Sequence, residues 1–246
     1  MMLSQRPFRL EREMLDPLAR ALGSVIGPLP LDRVSVVREP PIGSIIPDLL
    51  IGIWPAHRPL VERPHCTMIE AHIVAGLEGG LRLAPIELAD LLHLPEQVAT
   101  RAIRRLSRLG VLEAAPDGSL FLRTQFSTQD LQVVAVEAKM RRWRGALSQA
   151  IHYKTFADRV YVVLDGNQVQ TNLPMLHAFR EAGVGLLFQH EFALTTVVAA
   201  VDARPQSAMR VRAADRLFGR VAAPRSVSRP EMSSDAGAPT PSIEGC

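Results

Sequence analysis

The stretch QVVAVEAK, residues 132–139, is apolar almost to its end and then places Glu137 and Lys139 two positions apart. Successive side chains on a strand alternate, so these two share one side and Ala138 takes the other. A carboxylate and an ammonium so arranged do one of two things. They close a strand end as a plain ion pair, or they form half of a hydrolytic centre. Asp48, which follows Pro47 in SIIPDLLIG, completes such a centre when its own strand lies beside the first. Two carboxylates that close repel each other and do not both stay ionised without a cation between them. A hard divalent ion, Mg²⁺ or Mn²⁺, answers that need with oxygen ligands from Asp48, Glu137 and the carbonyl of Ala138. Lys139 then orients an attacking water, and hydrolysis of a phosphodiester is the chemistry expected.

The bulk properties narrow the class. The chain has 246 residues, 28 of them basic and 25 acidic, for a formal charge of +3. That excess permits a polyanionic partner without requiring one. The two cysteines, Cys66 and Cys246, lie far apart, which argues against a disulfide scaffold or a zinc module and fits a reducing cytoplasm. No apolar run is long enough to span a bilayer, and the first residues lack the apolar core of a signal peptide. The histidines show no metal-ligand pairing.

The elements that must position the three residues can be read in order. FRLEREMLDPLARALGS repeats apolar residues at Leu10, Met14, Leu18 and Leu22, which predicts a helix. Two β-branched runs then flank Pro40-Pro41-Ile42-Gly43 and predict an antiparallel pair. PAHRPLVERPH, with three prolines, reads as a linker. Residues 66–124 change to helical periodicity: three helices, the last closed by Gly110, then a hairpin turning at Asp117-Gly118. On that third helix Val98, Ile103, Leu106 and Leu109 are expected inward. Three helices followed by a two-stranded wing predict a winged helix. From residue 128 the chain alternates strand, helix, strand, helix, strand, the mark of an α/β unit with a partly parallel sheet. Residues 223–246 are rich in Ser, Pro, Ala and Gly and are expected to be disordered. The arginines between Arg204 and Arg229 read by default as a solvated tail. The expected organisation is an α/β domain formed by residues 8–54 and 128–202, interrupted by an insert at 66–124.

The pattern IPD followed later by VEAK resembles the PD-(D/E)XK nuclease superfamily. The resemblance implies a restriction endonuclease-like αβββαβ core with a mixed sheet, the order read above once the insert is removed. It also implies a glutamate on the first helix, matched best by Glu11 in LEREM with Glu13 as runner-up, and a glutamine on the helix after the lysine strand, matched by Gln149. On this reading Asp48, Glu137, Lys139, Gln149 and Glu11 are the catalytic set, and Asp48, Glu137, Ala138 and Glu11 hold the metal. The sequence departs from the common pattern in spacing, because 89 positions separate Asp48 from Glu137.

Basic residues suggest the partner. Arg141, Arg142 and Arg144 follow the lysine directly and suit phosphate contacts. Arg101, Arg104, Arg105 and Arg108 fall on one face of the third helix of the insert, the element with which a winged helix enters the major groove. Yet residues 66–124 carry six arginines against seven acids, so a protein-contact or dimerisation role stays open. Trp143 reads as a partly buried anchor and Tyr153 as a core residue. The sequence therefore predicts a cytoplasmic, metal-dependent deoxyribonuclease, with a homodimer compatible. The alternative is a non-catalytic winged-helix DNA-binding regulator with a degenerate nuclease-like module.

Overall fold

The structure, a computed structural model, describes residues 8–21, 33–190, 193–205 and 207–219. The expected disorder at 223–246 lies outside the described residues, as does Leu22. The chain is an α/β protein built on a six-stranded mixed sheet with a second, three-stranded antiparallel sheet.

The large sheet is ordered β1-β2-β6-β7-β8-β9, with β1 Val34–Arg38, β2 Leu49–Ile53, β6 Gln132–Lys139, β7 Arg159–Asp165, β8 Gly185–His190 and β9 Ala193–Val198. The central strands β6, β7 and β8 run parallel, and β1, β2 and β9 are antiparallel to their neighbours. The parallel strands are joined by helices α5 (Trp143–Tyr153) and α6 (Leu173–Ala182). A parallel sheet is covered on both faces, which is why VVAVEA is buried throughout rather than alternating.

Helix α1 (Glu11–Ala21) seals one face with Met14, Leu15 and Leu18 over Leu49, Ile51, Val134, Val136 and Ala138. The opposite face carries α5, α6 and a last helix, α7 (Ala208–Phe218), over Leu50, Val133, Ala135, Val162 and Leu164. Ala146, Ala150 and Ala157 are fully shielded there, so α5 lies close to the sheet.

Residues 66–124 form the second unit. It contains α2 (Met68–Gly76), β3 (Arg82–Leu83), α3 (Pro85–Leu91), α4 (Glu96–Arg108), β4 (Leu112–Ala114) and β5 (Leu120–Leu122). Thr67 and Glu70 cap α2 reciprocally, and Gly110 leaves α4 at φ +69°. In the β4–β5 turn only Gly118 takes a positive φ; Asp117 instead accepts hydrogen bonds from the amide and hydroxyl of Ser119. The buried positions of α4 are Ala99, Ala102, Ile103 and Leu106, whereas Leu109 is 42 % exposed.

Three expectations need correction. The arginine-rich segment after Arg204 is not simply a solvated tail: residues 208–218 form α7, buried on several sides. Ala213 and Leu217 enter the sheet core, while Ala208 and Val211 enter the core of the second unit. Its charges are buried because they are paired. Arg210 donates to Asp158 at 2.8 Å and to the carbonyls of Thr128 and Leu131, and Arg63 donates to Asp215 at 3.1 Å. Nor do residues 55–65 behave as a free linker, since Arg58 and Arg63 are buried and hydrogen-bonded to carbonyls of Ser127 and Phe126. Finally, β9 adds a strand beyond the expected set. Gly52 admits α7 to the sheet: a Cβ there would fall 2.7 Å from Leu217 and Phe218 side-chain carbons.

Candidate functional site

Asp48 and Glu137 meet. Strands β2 and β6 pair antiparallel with Leu49 opposite Val136, and the next step of that register sets Asp48 opposite Glu137. Directly opposed residues of an antiparallel pair point to the same face. Intervening residues 54–131 leave and return without disturbing the pairing. The Asp48 carboxylate accepts a 2.7 Å hydrogen bond from the amide of Ala138, and its backbone carbonyl accepts from Glu39 at 3.1 Å. The amide and carbonyl of one strand residue project to the same edge, so the Ala138 carbonyl also faces Asp48.

Lys139 is the centre of the group. Its Nζ lies 2.9 Å from Glu137 Oε1, 3.3 Å from Glu11 Oε2 and 3.8 Å from Asp48 Oδ2. Glu11 comes from the first turn of α1. Glu13 does not join the cluster; it accepts from the amides of Arg9 and Leu10 and caps the helix start. Behind the cluster, the Tyr153 hydroxyl donates to Glu137 Oε2 at 2.5 Å. Exposure falls from 47 % for the Glu11 side chain through 24 % for Asp48 and 21 % for Lys139 to 2 % for Glu137, so the cluster is open at one end and dry at the other.

The electrostatics follow from that gradient. Burial raises the pKa of Asp48, and Glu11 and Glu39 add to the rise against the amide of Ala138 and the charge of Lys139. Burial also raises Glu137, with Asp48 adding and Tyr153 and Lys139 opposing. Burial works against the Lys139 ammonium, but the hydrogen bond to Glu137 and the nearby acids outweigh it and raise its pKa. Pairing alone would lower both acids while raising the lysine. That both acids rise means desolvation and mutual repulsion win over one ammonium shared among three carboxylates.

This imbalance fits a hard divalent cation. Asp48, Glu137 and the Ala138 carbonyl are oxygen donors of the type such an ion takes, and a second positive charge would relieve their repulsion. The fit is limited to that set. Among the described residues no three His, Cys, Asp or Glu side chains stand together as a ready cation cage. Glu11 reaches the group through the ammonium, 3.3 Å from Lys139 Nζ.

The remaining sequence-predicted residues are placed as follows. Gln149 is exposed on α5, one turn before Tyr153. It is Tyr153, read from the sequence as a core residue, that touches the cluster. The spacing of Tyr153 on the buried stripe of α5 was visible; the partner at Glu137 was not. Arg141, Arg142 and Arg144 are exposed at the start of α5, with Arg144 stacked 4.5 Å over the Trp143 ring and Arg141 bonded to Gln168. On α4, Arg101, Arg104 and Arg108 line one open groove of about 600 Å³ with Glu96, Gln97 and Thr100. Arg105 departs from that set. Its guanidinium turns to Glu70 and to the carbonyl of His65.

Among the described residues no helix is long and apolar enough to cross a membrane. No protein family and no curated protein matches the chain. A solved structure, the SPO1766 protein of unknown function from Silicibacter pomeroyi, is similar at TM-score 0.39 and 13 % identity, over 87 % of this chain and 86 % of that one.

Proposed function

We propose that the protein is a metal-dependent nuclease acting on DNA, with a restriction endonuclease-like core and an inserted winged helix that docks the substrate. The observation that carries this reading is the meeting of Asp48, Glu137, Lys139 and Glu11 at the paired ends of β2 and β6, from three chain segments. Asp48, Glu137 and the Ala138 carbonyl would hold Mg²⁺ or Mn²⁺, with Glu11 assisting from the open side. Such an ion, when bound, stabilises negative charge on a phosphate. Lys139 orients the attacking water through its ammonium hydrogens. Gln149, exposed on α5, orients the nucleophile or the substrate strand. Arg141, Arg142 and Arg144 contact phosphates, and Arg101, Arg104 and Arg108 on α4 face the duplex.

A second reading has its own observation. In the present arrangement the ammonium occupies the centre of the acids and satisfies them without any other cation, as a purely structural cluster would. On that reading the protein is a DNA-binding regulator with a silent nuclease-like module. Incubation of plasmid and single-stranded DNA with Mg²⁺ or Mn²⁺, beside Asp48→Ala and Lys139→Ala, separates the two. Cleavage by the parent that both variants lose supports the nuclease. Equal inactivity of all three across both substrates supports the regulator.

A further inference from the structure

The C-terminal ends of β6, β7 and β8 lie along one edge of the sheet, and the carboxylate cluster occupies only the β6 end. The β7 end carries a different construction, the turn Asp165-Gly166-Asn167-Gln168. Asp165 is fully buried, and its carboxylate accepts from the Asn167 amide at 2.9 Å, from the Phe8 amide at 3.2 Å and from Gln168 Nε2. Gln168 Nε2 also lies 3.3 Å from the Phe8 carbonyl. With its amide nitrogen committed inward, Gln168 presents its oxygen outward, where it accepts Nε of Arg141. Asn167 faces the other way and places its side-chain oxygen Oδ1 3.3 Å from Nδ1 of His190, the last residue of β8. The His190 ring packs against Gly166, where a Cβ would fall 2.4 Å from ring carbon Cε1. A buried carboxylate thus anchors a turn whose two outward amides fix one arginine and one histidine.

We propose that Arg141 and His190, held by this turn, form a second phosphate-binding subsite for the DNA strand that enters the carboxylate centre. The Nε of Arg141 is committed to Gln168, which leaves the terminal edge of its guanidinium for a phosphate oxygen. Asn167 Oδ1 accepts from Nδ1–H of His190, so Nε2 carries a hydrogen for a phosphate oxygen in the imidazolium form, which brings a positive charge to the subsite. The spacing suits a polynucleotide. The register sets Lys139 beside Leu164 and Leu164 beside Phe188, so His190 stands two strands across and two residues on. At about 4.8 Å per strand and about 3.3 Å per residue the offset is roughly 12 Å, the axial length of three to four nucleotides at about 3.4 Å each.

This inference rests on the nuclease reading only for the strand's destination, and binding tests it without cleavage. Anisotropy of fluorescein-labelled single- and double-stranded DNA is measured in EDTA over a range of salt, for the parent, Arg141→Gln, His190→Gln, Gln168→Ala and Arg180→Gln. Arg180→Gln removes the same charge from the exposed face of α6 and controls for net charge. Arg141→Gln and His190→Gln are each expected to weaken binding several-fold and to lower the salt slope by about 1. Gln168→Ala keeps every charge and removes only the Arg141 anchor, so a loss there marks positioning rather than bulk attraction. Arg141→Lys stands in should Arg141→Gln melt early. Affinities no lower than that of Arg180→Gln overturn the subsite. A parent that binds DNA but never cuts it removes the hydrolytic reading alone and leaves the subsite to be judged by the variants. A parent that binds neither DNA removes both.

Discussion

Tyr153 donates its hydroxyl hydrogen to Glu137 at 2.5 Å, and each of the two residues is only 2 % exposed. A buried carboxylate that shares one ammonium with other acids on its open side needs a donor on its closed side, and the phenol is that donor. Tyr153→Phe removes it with almost no change of volume. The expected loss is about 1.5–3 kcal/mol, the usual worth of a hydrogen bond to a charged group. Thermal unfolding checks it. Glu137 should also become harder to ionise, because the phenol holds its pKa down. Cleavage by the variant should accordingly require higher pH than cleavage by the parent.

The acids and the lysine give stability the same sign of pH dependence, in two separate windows. Asp48 and Glu137 have folded pKa values raised above the ordinary 3.8 and 4.5. From those values upward the folded chain holds more protons than the unfolded chain, so stability falls as pH rises through the raised folded values. Lys139 is raised above 10.5, so its contribution is complete below that value and is lost as pH rises through the folded one. Asp48→Asn should flatten the acid-side fall and leave folding at neutral pH undiminished. Urea midpoints taken from just above pH 3.8 to neutrality measure both.

Addition of Mg²⁺ should relieve the same repulsion. An ion present at ten times its Kd stabilises by about 1.4 kcal/mol, which is about 3–6 °C in Tm for a chain of this size. The shift should appear in the parent and vanish in Asp48→Ala. Equal Tm values with and without Mg²⁺ or Mn²⁺ in the parent would remove the metal from the proposal.

The four arginines of α4 should separate into two classes. Arg101→Glu and Arg104→Glu should weaken DNA binding by tenfold or more in combination, since both side chains line the open groove. Arg105→Ala should act on folding instead, by about 1 kcal/mol, because its half-exposed guanidinium pairs with the buried Glu70. Anisotropy and Tm together tell them apart. Unchanged DNA affinity in the double charge reversal would favour a protein partner for this face.

Arg63 and Asp215 join the linker to α7 with both side chains almost fully shielded. Removing one partner strands a buried charge, so Arg63→Ala is expected to cost about 3–5 kcal/mol in denaturant unfolding. A loss under about 1 kcal/mol would show that the contact is not closed to water.

The site was legible where chemistry and local pattern coincide. Glu137 and Lys139 sit on a strand that VVAV announces, and Asp48 stands between the turn residues 40–43 and the strand they lead into. The alternation of strands and helices after residue 128 specified β6, α5, β7, α6 and β8. Burial of α7 was not legible. AMRVRAADRLF mixes its apolar residues with three arginines, and the buried one, Arg210, pairs with Asp158, 52 positions away. Sequence periodicity reports what a segment prefers on its own, and here distant carboxylates decide. The same holds for Arg105, which shares a helical face with Arg101 and Arg108 but is drawn aside by Glu70.

Strand β2 is hydrogen-bonded on one side to β1, made just before it, and on the other to β6, which follows only after residues 54–131. During synthesis the LLIGI segment therefore waits with a bare, apolar edge while a whole helical unit is made and folds. Pairings this far apart in the chain form late and slowly, and an unpaired edge of that kind invites other chains. The ribosome thus releases Asp48 long before its counterpart exists. A chain ending before β6 would leave Asp48 without Glu137 and β2 without its partner, and aggregation is its expected fate.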